Sequence, residues 1–296
     1  MNTKPVSVNS HRARKRFGQN FLHDENIIAR IVRAVTPRAG EHLVEIGPGQ
    51  GALTQPLLEA LGEAGQLSLI EIDRDLVSIL EKTFARTANV KLIQADALSF
   101  DFLPLATNKQ PLRIVGNLPY NISTPLLFHL LQQNLDHQQA GQIVGDSSAA
   151  RSDSAQGAAP LFSDMHFMLQ QEVVQRICAE PGSKQYGRLS VMTQYFCQTE
   201  SLFTVPPSAF SPQPKVLSAI VRLMPHQQQP HVAHNNKTFA AVVKTAFAQR
   251  RKTLKNNLRA LIVDSALRDL DIDPGARAET LPLADFVAIS NAIDAS

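Results

Sequence analysis

In this 296-residue chain a glycine-rich turn stands between an apolar run and a helical segment, and few folds accommodate that order. His42-Leu43-Val44-Glu45-Ile46 reads as a short buried strand. Glu45-Ile46-Gly47-Pro48-Gly49-Gln50-Gly51 follows, and Ala52–Leu61 then reads as a helix. Strand, glycine turn and helix make the first half of a nucleotide-binding unit in a parallel α/β sheet. Glycines there let backbone approach a ligand and adopt turn angles that a side chain would block.

Two further strands support that reading. Leu67–Glu71 ends in an acid, where a carboxylate can accept hydrogen bonds from both ribose hydroxyls. Val90–Ala95 runs into Asp96, which can take an adenine amine. Taken alone, each acid is equally a solvated strand-end residue or a helix cap. Acids and glycines in this order, each after a strand, favour a nucleotide site. The turn also fits the relaxed dinucleotide pattern Gly47-x-Gly49-x-x-Ala52, so by itself it does not separate a nicotinamide cofactor from S-adenosylmethionine.

The fourth strand, Leu112–Gly116, leads into Asn117-Leu118-Pro119-Tyr120, and Asn121–Pro125 then opens a helix. An amide, a backbone carbonyl and an aromatic ring thus sit together at a strand end. Amide and carbonyl oxygens accept from an exocyclic amine, and the ring stacks on a base. A hydride-transfer enzyme has no evident use for such a grip. A methyltransferase that acts on a nucleobase amine does.

With these motifs the chain resembles the ribosomal RNA adenine dimethyltransferase family, in particular its bacterial small-subunit branch. The resemblance is carried by Arg14–Leu22, Glu45–Gly51, Ile70–Asp75, Gly116–Ser123, Tyr186–Ser190, Val205–Val216 and Phe247–Lys252. It implies an α/β fold: a Rossmann-like class I methyltransferase sheet with a small C-terminal helical domain. It implies S-adenosylmethionine as cofactor, S-adenosylhomocysteine as product and no metal. The expected reaction is dimethylation of two adjacent adenines near the end of small-subunit ribosomal RNA, during subunit assembly. The family pattern places Asn20, Leu22, Gly47, Glu71, Asp96 and Asn117 around the cofactor. Asn117 and Leu118 would hold the amine and Tyr120 would stack on the base. Phe210 is a candidate for the opposite face and equally a plain core residue.

Strands and helices alternate from His42 to about Leu135, which predicts a parallel sheet covered on both faces. Gln138–Ala159 is rich in Gly, Ser, Ala, Asp and Gln and cannot bury enough apolar surface to offset its ordering entropy. That stretch reads as a disordered loop, and the family's short connection here makes it an insert. With the resemblance, the expected domains are 1–225, catalytic, with 138–162 the inserted disordered loop, and 226–296, a small helical domain that docks RNA. Glu172–Ala179 and Arg188–Phe196 read as helices, Leu202–Val205 and Ala219–Leu223 as closing strands. Asp24 reads as the N-cap of a helix bearing Ile27, Ile28, Ile31, Val32 and Val35.

Charge is unevenly spread. Lys237–Arg259 holds seven basic residues and no acid, within a chain of net charge +3. Drawn as one helix, Lys244, Arg251, Lys255 and Arg259 form one stripe, beside an apolar face of Val243, Phe247, Leu254 and Leu258. A merely solvated face usually mixes signs, so phosphate contact is the preferred reading. Arg250 falls on the apolar side, which requires a helix break or a buried ion pair. Arg12, Arg14, Lys15 and Arg16 form a second basic cluster. His226, His231 and His234 lie in a polar stretch that reads as a linker. No apolar run approaches the roughly 20 residues of a membrane span. Two cysteines without metal spacing, Cys178 and Cys197, point to a reduced, cytoplasmic protein, and a monomer is expected.

Other classes stay open. The chain could methylate a large-subunit or DNA adenine, or be an assembly factor that has lost catalysis. A nicotinamide oxidoreductase is the remote alternative. Asn-Leu-Pro-Tyr-Asn-Ile-Ser and Tyr-Gly-Arg-Leu-Ser favour the small-subunit enzyme, and the intact Glu71, Asp96 and Asn117 argue against lost catalysis.

Overall fold

In a computed structural model, which describes residues 19–106, 110–145 and 159–295, a two-residue strand β1 (Phe21–Leu22) precedes helix α1 (Glu25–Val35). Asp24 begins α1 as expected: its carboxylate accepts from the N–H groups of Asn26 at 2.9 Å and Ile27 at 3.1 Å. That satisfies donors that a helix start otherwise leaves unpaired. Ile28, Ile31 and Val35 form the buried face. The helix ends at Thr36, which turns left-handed at φ 47°.

Strand β2 (His42–Ile46), helix α2 (Thr54–Leu61), strand β3 (Gln66–Glu71), helix α3 (Arg74–Phe84), strand β4 (Val90–Gln94) and strand β5 (Leu112–Asn117) follow. The order of these elements is the one the sequence predicts. β2 pairs in parallel with β3, Leu43 opposite Leu67, and with β5, Ile46 opposite Gly116. β3 pairs in parallel with β4, Leu69 opposite Leu92. Leu43–Ile46 and Leu67–Glu71 are buried throughout, as parallel strands covered on both faces must be.

Arg113 is a buried cation in β5. It donates to Glu41 at 2.7 Å and to the carbonyls of Val35 and Thr36, closing the end of α1. A buried guanidinium is tolerable only with such partners.

Helix α4 (Ser123–Gly145) comes next, then strand β6 (Phe162–Gln170), helices α5 (Gln171–Ile177) and α6 (Arg188–Phe196), and strands β7 (Cys197–Val205), β8 (Phe210–Ser211) and β9 (Ser218–Pro225). One sheet has the order β4-β3-β2-β5-β6-β9-β7; β1 and β8 form a separate antiparallel ribbon. The expected loop over 138–162 is corrected at both ends. Gln138–Gly145 continues α4, because glutamine and alanine sustain a helix once one is under way. Phe162 already belongs to β6, its N–H held by the Asn134 side chain at 3.3 Å. Residues 146–158 lie outside the described residues.

Helices α7 (Asn236–Ala246), α8 (Leu254–Leu258), α9 (Asp264–Asp269) and α10 (Leu283–Asp294) complete the chain. The single helix drawn through Lys244 and Arg259 is corrected: it breaks between Ala246 and Leu254. The Asn257 amide donates to the carbonyls of Ala246 at 2.6 Å and Gln249 at 3.2 Å, so carbonyls near the end of α7 are taken by a side chain. Arg250 lies in the break and pairs with Glu279 at 2.8 Å. Its side chain is 54% exposed, so the pair is not the buried one considered from sequence. Arg250 also donates to the Lys184 carbonyl.

The chain divides into two compact units. The first runs to Gln133 and includes His166–Leu169 and Thr204–Ser218; the second comprises Asn134–Met165, Gln170–Phe203 and Ala219–Ser296. The second is thus larger than residues 226–296, taking in α5 and α6. Its core stacks Phe247 on Phe286 at 5.6 Å and packs Tyr195 against Phe239 at 4.2 Å.

Candidate active site

The site is built where β2, β3, β4 and β5 end. After Ile46 the chain must turn sharply before α2, and Gly47 and Gly49 do so at φ 67° and 60°, angles that L side chains rarely adopt. The Gly47 N–H bonds the Ile70 carbonyl at 2.9 Å, tying the turn to β3.

Glu71, at the end of β3, is 5% exposed. One carboxylate oxygen accepts from the N–H groups of Ile72 and Asp73, both at 2.9 Å, and the other from Gly49 at 3.3 Å. Burial raises its pKa, and these backbone N–H bonds oppose the rise by stabilising the anion. Beneath the turn Glu45 is fully buried, and burial pushes its carboxyl up to about 7. The Thr54 hydroxyl, donating at 2.7 Å, opposes the rise, and the nearby Glu71 charge adds to it. Asp96 is exposed and accepts from the Leu98 N–H at 2.9 Å.

β5 carries the amide motif into the same region. A Cβ on Gly116 would lie 2.9 Å from the Ile46 carbonyl oxygen, so glycine is what permits the close approach. The Leu118 N–H bonds the Met168 carbonyl at 3.3 Å, and the Ser123 hydroxyl holds the Tyr120 carbonyl at 3.1 Å. These bonds fix the turn without using the Leu118 carbonyl. Asn117 donates its Nδ2 to the Asn20 carbonyl at 3.1 Å. That contact assigns the amide's two ends: nitrogen toward Asn20, oxygen left to accept from another donor.

Residues 19–22 form a strap. Gln19 donates to Asp73 at 3.3 Å, and a Cβ on Gly49 would meet the Phe21 ring at 3.2 Å. Phe21 pairs with Ser211 and Leu22 with Phe210 across the β1–β8 ribbon. The His23 N–H extends the join to the Ala209 carbonyl at 3.0 Å.

One cavity is lined by eight of the residues singled out from sequence: Asn20, Gly47, Glu71, Asp96, Asn117, Leu118, Tyr120 and Phe210. Phe210 is only 2% exposed, so it is both core and cavity wall. Leu22 is not a lining residue; it is 5% exposed and paired with Phe210. Lys244, Arg251, Lys255 and Arg259 are exposed and do not line this cavity. Arg12, Arg14, Lys15 and Arg16 lie outside the described residues. Gln19 and Phe21 also line the wall, from the Arg14–Leu22 stretch that carries the family resemblance, whereas Ile72 is a wall residue that the sequence did not single out. For Ile72 the signal is local: a β-branched residue directly after the strand-end acid, left 45% exposed.

Among the described residues no group of three or more His, Cys, Asp or Glu could hold a metal ion. His226 bonds the Gln194 carbonyl at 3.0 Å. No helix among the described residues is long and apolar enough to cross a membrane. The cavity therefore offers a buried carboxylate, a glycine turn, a preset amide oxygen, a carbonyl and three aromatic walls, Phe21, Tyr120 and Phe210. Such a set can hold a nucleoside at one end and a flat amine-bearing ring at the other.

The family model described as ribosomal RNA adenine dimethylase matches residues 10–295. Ribosomal RNA small subunit methyltransferase A of Chromohalobacter salexigens is 52% identical over 286 residues, 95% of this chain and 92% of that protein. A dimethyladenosine transferase from Plasmodium falciparum has a similar fold, with TM-score 0.69, 24% identity and coverage of 90% and 95% of the two chains. The 23S rRNA methyltransferase ErmE has TM-score 0.66, 23% identity and coverage of 93% and 100%.

Proposed function

Since the chain belongs to the ribosomal RNA adenine dimethylase family, we propose that it dimethylates the exocyclic amines of two adjacent adenines near the end of small-subunit ribosomal RNA, using S-adenosylmethionine. One observation carries the reading. Asn117, Leu118 and Tyr120 at the end of β5 line the same cavity as Gly47 and Glu71.

The residues present fit the cofactor. Gly47 and Gly49 turn at positive φ and bring backbone rather than side chain to the cavity wall. Glu71 suits the ribose hydroxyls, the exposed Ile72 an adenine face, and Asp96 the adenine amine. Bound S-adenosylmethionine supplies an electrophilic methyl group.

The protein's task is to make a poor nucleophile available. An adenine amine is planar because its lone pair is delocalised into the ring. Asn117 Oδ1 and the Leu118 carbonyl accept its two hydrogens and favour a tetrahedral nitrogen. Tyr120 and Phe210 hold the flipped base between them. Neither amine partner is a strong base, and none is needed, because the alkylated nitrogen is itself acidic. Catalysis is by positioning and by fixed dipoles. Dimethylation requires the site to accept a monomethylated amine and act again.

Lys244, Arg251, Lys255 and Arg259, with the N-terminal Arg12, Arg14, Lys15 and Arg16, would contact phosphates. The substrate in this reading is the immature small subunit, and the protein a cytoplasmic monomer. Radiolabelled methyl transfer to immature small subunits, followed by digestion to nucleosides, tests the proposal. Label in dimethyladenosine of the small-subunit RNA is expected. Label in large-subunit RNA or DNA only, or no transfer, would overturn it.

A further inference from the structure

We propose that Ser218 is a positioning residue for Tyr120, its hydroxyl setting the angle of the ring that faces the target base. The inference rests on the reading of Tyr120 given above and deepens it.

Tyr120 has two kinds of anchor. Its backbone is fixed by the Ser123 hydroxyl at its carbonyl, and the turn around it by the Ile122 N–H on the Pro119 carbonyl at 3.1 Å. Neither bond restrains the swing of the ring. The ring has one polar atom, the phenol oxygen, and that atom lies 2.9 Å from Ser218 Oγ. A phenylalanine would supply the same stacking face. The hydroxyl therefore has a use that stacking does not explain.

Ser218 is placed to be a firm anchor. It is the first residue of β9 and is 1% exposed. A buried serine hydroxyl is costly unless bonded, and Tyr120 supplies the bond. The chain just before it is different: Lys215 is exposed, and Val216 and Leu217 are 44% and 42% exposed. Ser218 is where that outer segment returns to the interior.

The segment's other end matters equally. It starts from Phe210 and Ser211, which are paired to Leu22 and Phe21. Phe210 and Ser218 thus bracket one stretch of chain. Phe210 is a wall of the cavity, and Ser218 is bonded to the Tyr120 wall. Through the Tyr120–Ser218 bond, the stretch that carries the Phe210 wall also holds the Tyr120 ring, and a held ring would keep a flat base in one plane.

The test uses the full-length protein with immature small subunits, plus small-subunit RNA carrying 2-aminopurine at a target adenine. Ser218→Ala and Tyr120→Phe should each lower kcat by about five- to tenfold, the worth of one neutral hydrogen bond. The double variant should be no slower than either single one. S-adenosylmethionine affinity should stay within about twofold by calorimetry, since the cofactor's assigned contacts are untouched. The bound 2-aminopurine, which lacks the C6 amine that Asn117 and Leu118 would hold and so reports stacking alone, should be brighter in both variants, because stacking on a swinging ring quenches less. Ser218→Thr, which keeps a hydroxyl, should restore the wild-type rate. Unchanged kcat in Ser218→Ala, or losses that add in the double variant, would overturn the proposal. Tyr120→Ala separates the two readings. Full activity in that variant would overturn the base-facing role of Tyr120 itself. Lost activity there with normal Ser218→Ala would overturn only the role of Ser218.

Discussion

Asn117 and Asn20 meet in a single hydrogen bond, side-chain amide to backbone carbonyl, at 3.1 Å across 97 positions of sequence. The bond joins the strand end that would grip the amine to the strap that lines the same cavity. It also turns the Asn117 amide nitrogen toward Asn20, leaving Oδ1 as the end that would accept from an amine. Asn117→Ala removes the acceptor and the strap contact together. Turnover should fall by at least about a hundredfold, the scale of losing a preorganised polar contact at the reacting atoms. Single-turnover transfer at saturating cofactor and RNA measures this; a rate near wild type would remove Asn117 from the chemistry.

Glu71→Ala should weaken S-adenosylmethionine binding by about 1.5–3 kcal/mol, because a charge-assisted pair of hydrogen bonds is lost. The structure adds a second effect. The carboxylate also accepts from the N–H groups of Gly49, Ile72 and Asp73, and their loss should lower stability by about 1–3 kcal/mol. Calorimetric titration and urea unfolding read the two effects separately. Unchanged affinity in a folded variant would take Glu71 out of the cofactor site.

Glu45 gives the stability a pH dependence of known sign. Its carboxyl titrates near 4.5 when unperturbed and near 7 in the folded protein. Between these values the folded chain binds more protons than the unfolded one. The stabilising contribution is therefore full below about 4.5 and lost as pH rises through about 7. Glu45→Gln keeps an acceptor for Thr54 and does not titrate. Relative to wild type it should gain about 1–3 kcal/mol as pH rises from about 5 to 8. Melting temperatures of both proteins across that range decide the matter. Parallel curves would contradict the assignment.

Lys244, Arg251, Lys255 and Arg259 come from α7, the break after it, α8 and the residue that ends α8, and all four are exposed. Replacing all four with glutamine should weaken binding to immature small subunits. Each lost phosphate contact should flatten the log–log salt dependence by about 0.7–0.9. Equal slopes for wild type and variant would make these residues an ordinary solvated surface.

The sheet and most of the cavity were legible because their signals are local. Buried parallel strands read as mostly apolar runs, as at Leu43–Ile46, where Glu45 is the one polar residue. Acids that follow such runs, as Glu71 does, fall at strand ends by construction. Long-range contacts left weaker traces. Nothing around Gln19 announces its bond to Asp73, and nothing near Asn257 announces that its amide would occupy the Ala246 carbonyl and help end α7. Helical spacing persists on both sides of that break, so the sequence presents one continuous stripe where two helices stand. The first residues of the expected insert misled in the opposite sense. Gln138–Gly145 lacks a large apolar face, yet a helix already under way carries through such residues without needing one of its own.

The strap has a kinetic consequence. Phe21 and Leu22 are held by a ladder of only two residue pairs, while Leu43–Ile46 is paired along its length on both sides. Opening the first costs a small fraction of global unfolding; opening the second requires most of it. In deuterium exchange the amides of Phe21 and Leu22 should therefore label well before those of Val44 and Ile46. An enzyme that must shed a spent nucleoside and take a fresh one between two methylations would then have readily opened amides over that cavity and slow ones in the strand leading into it.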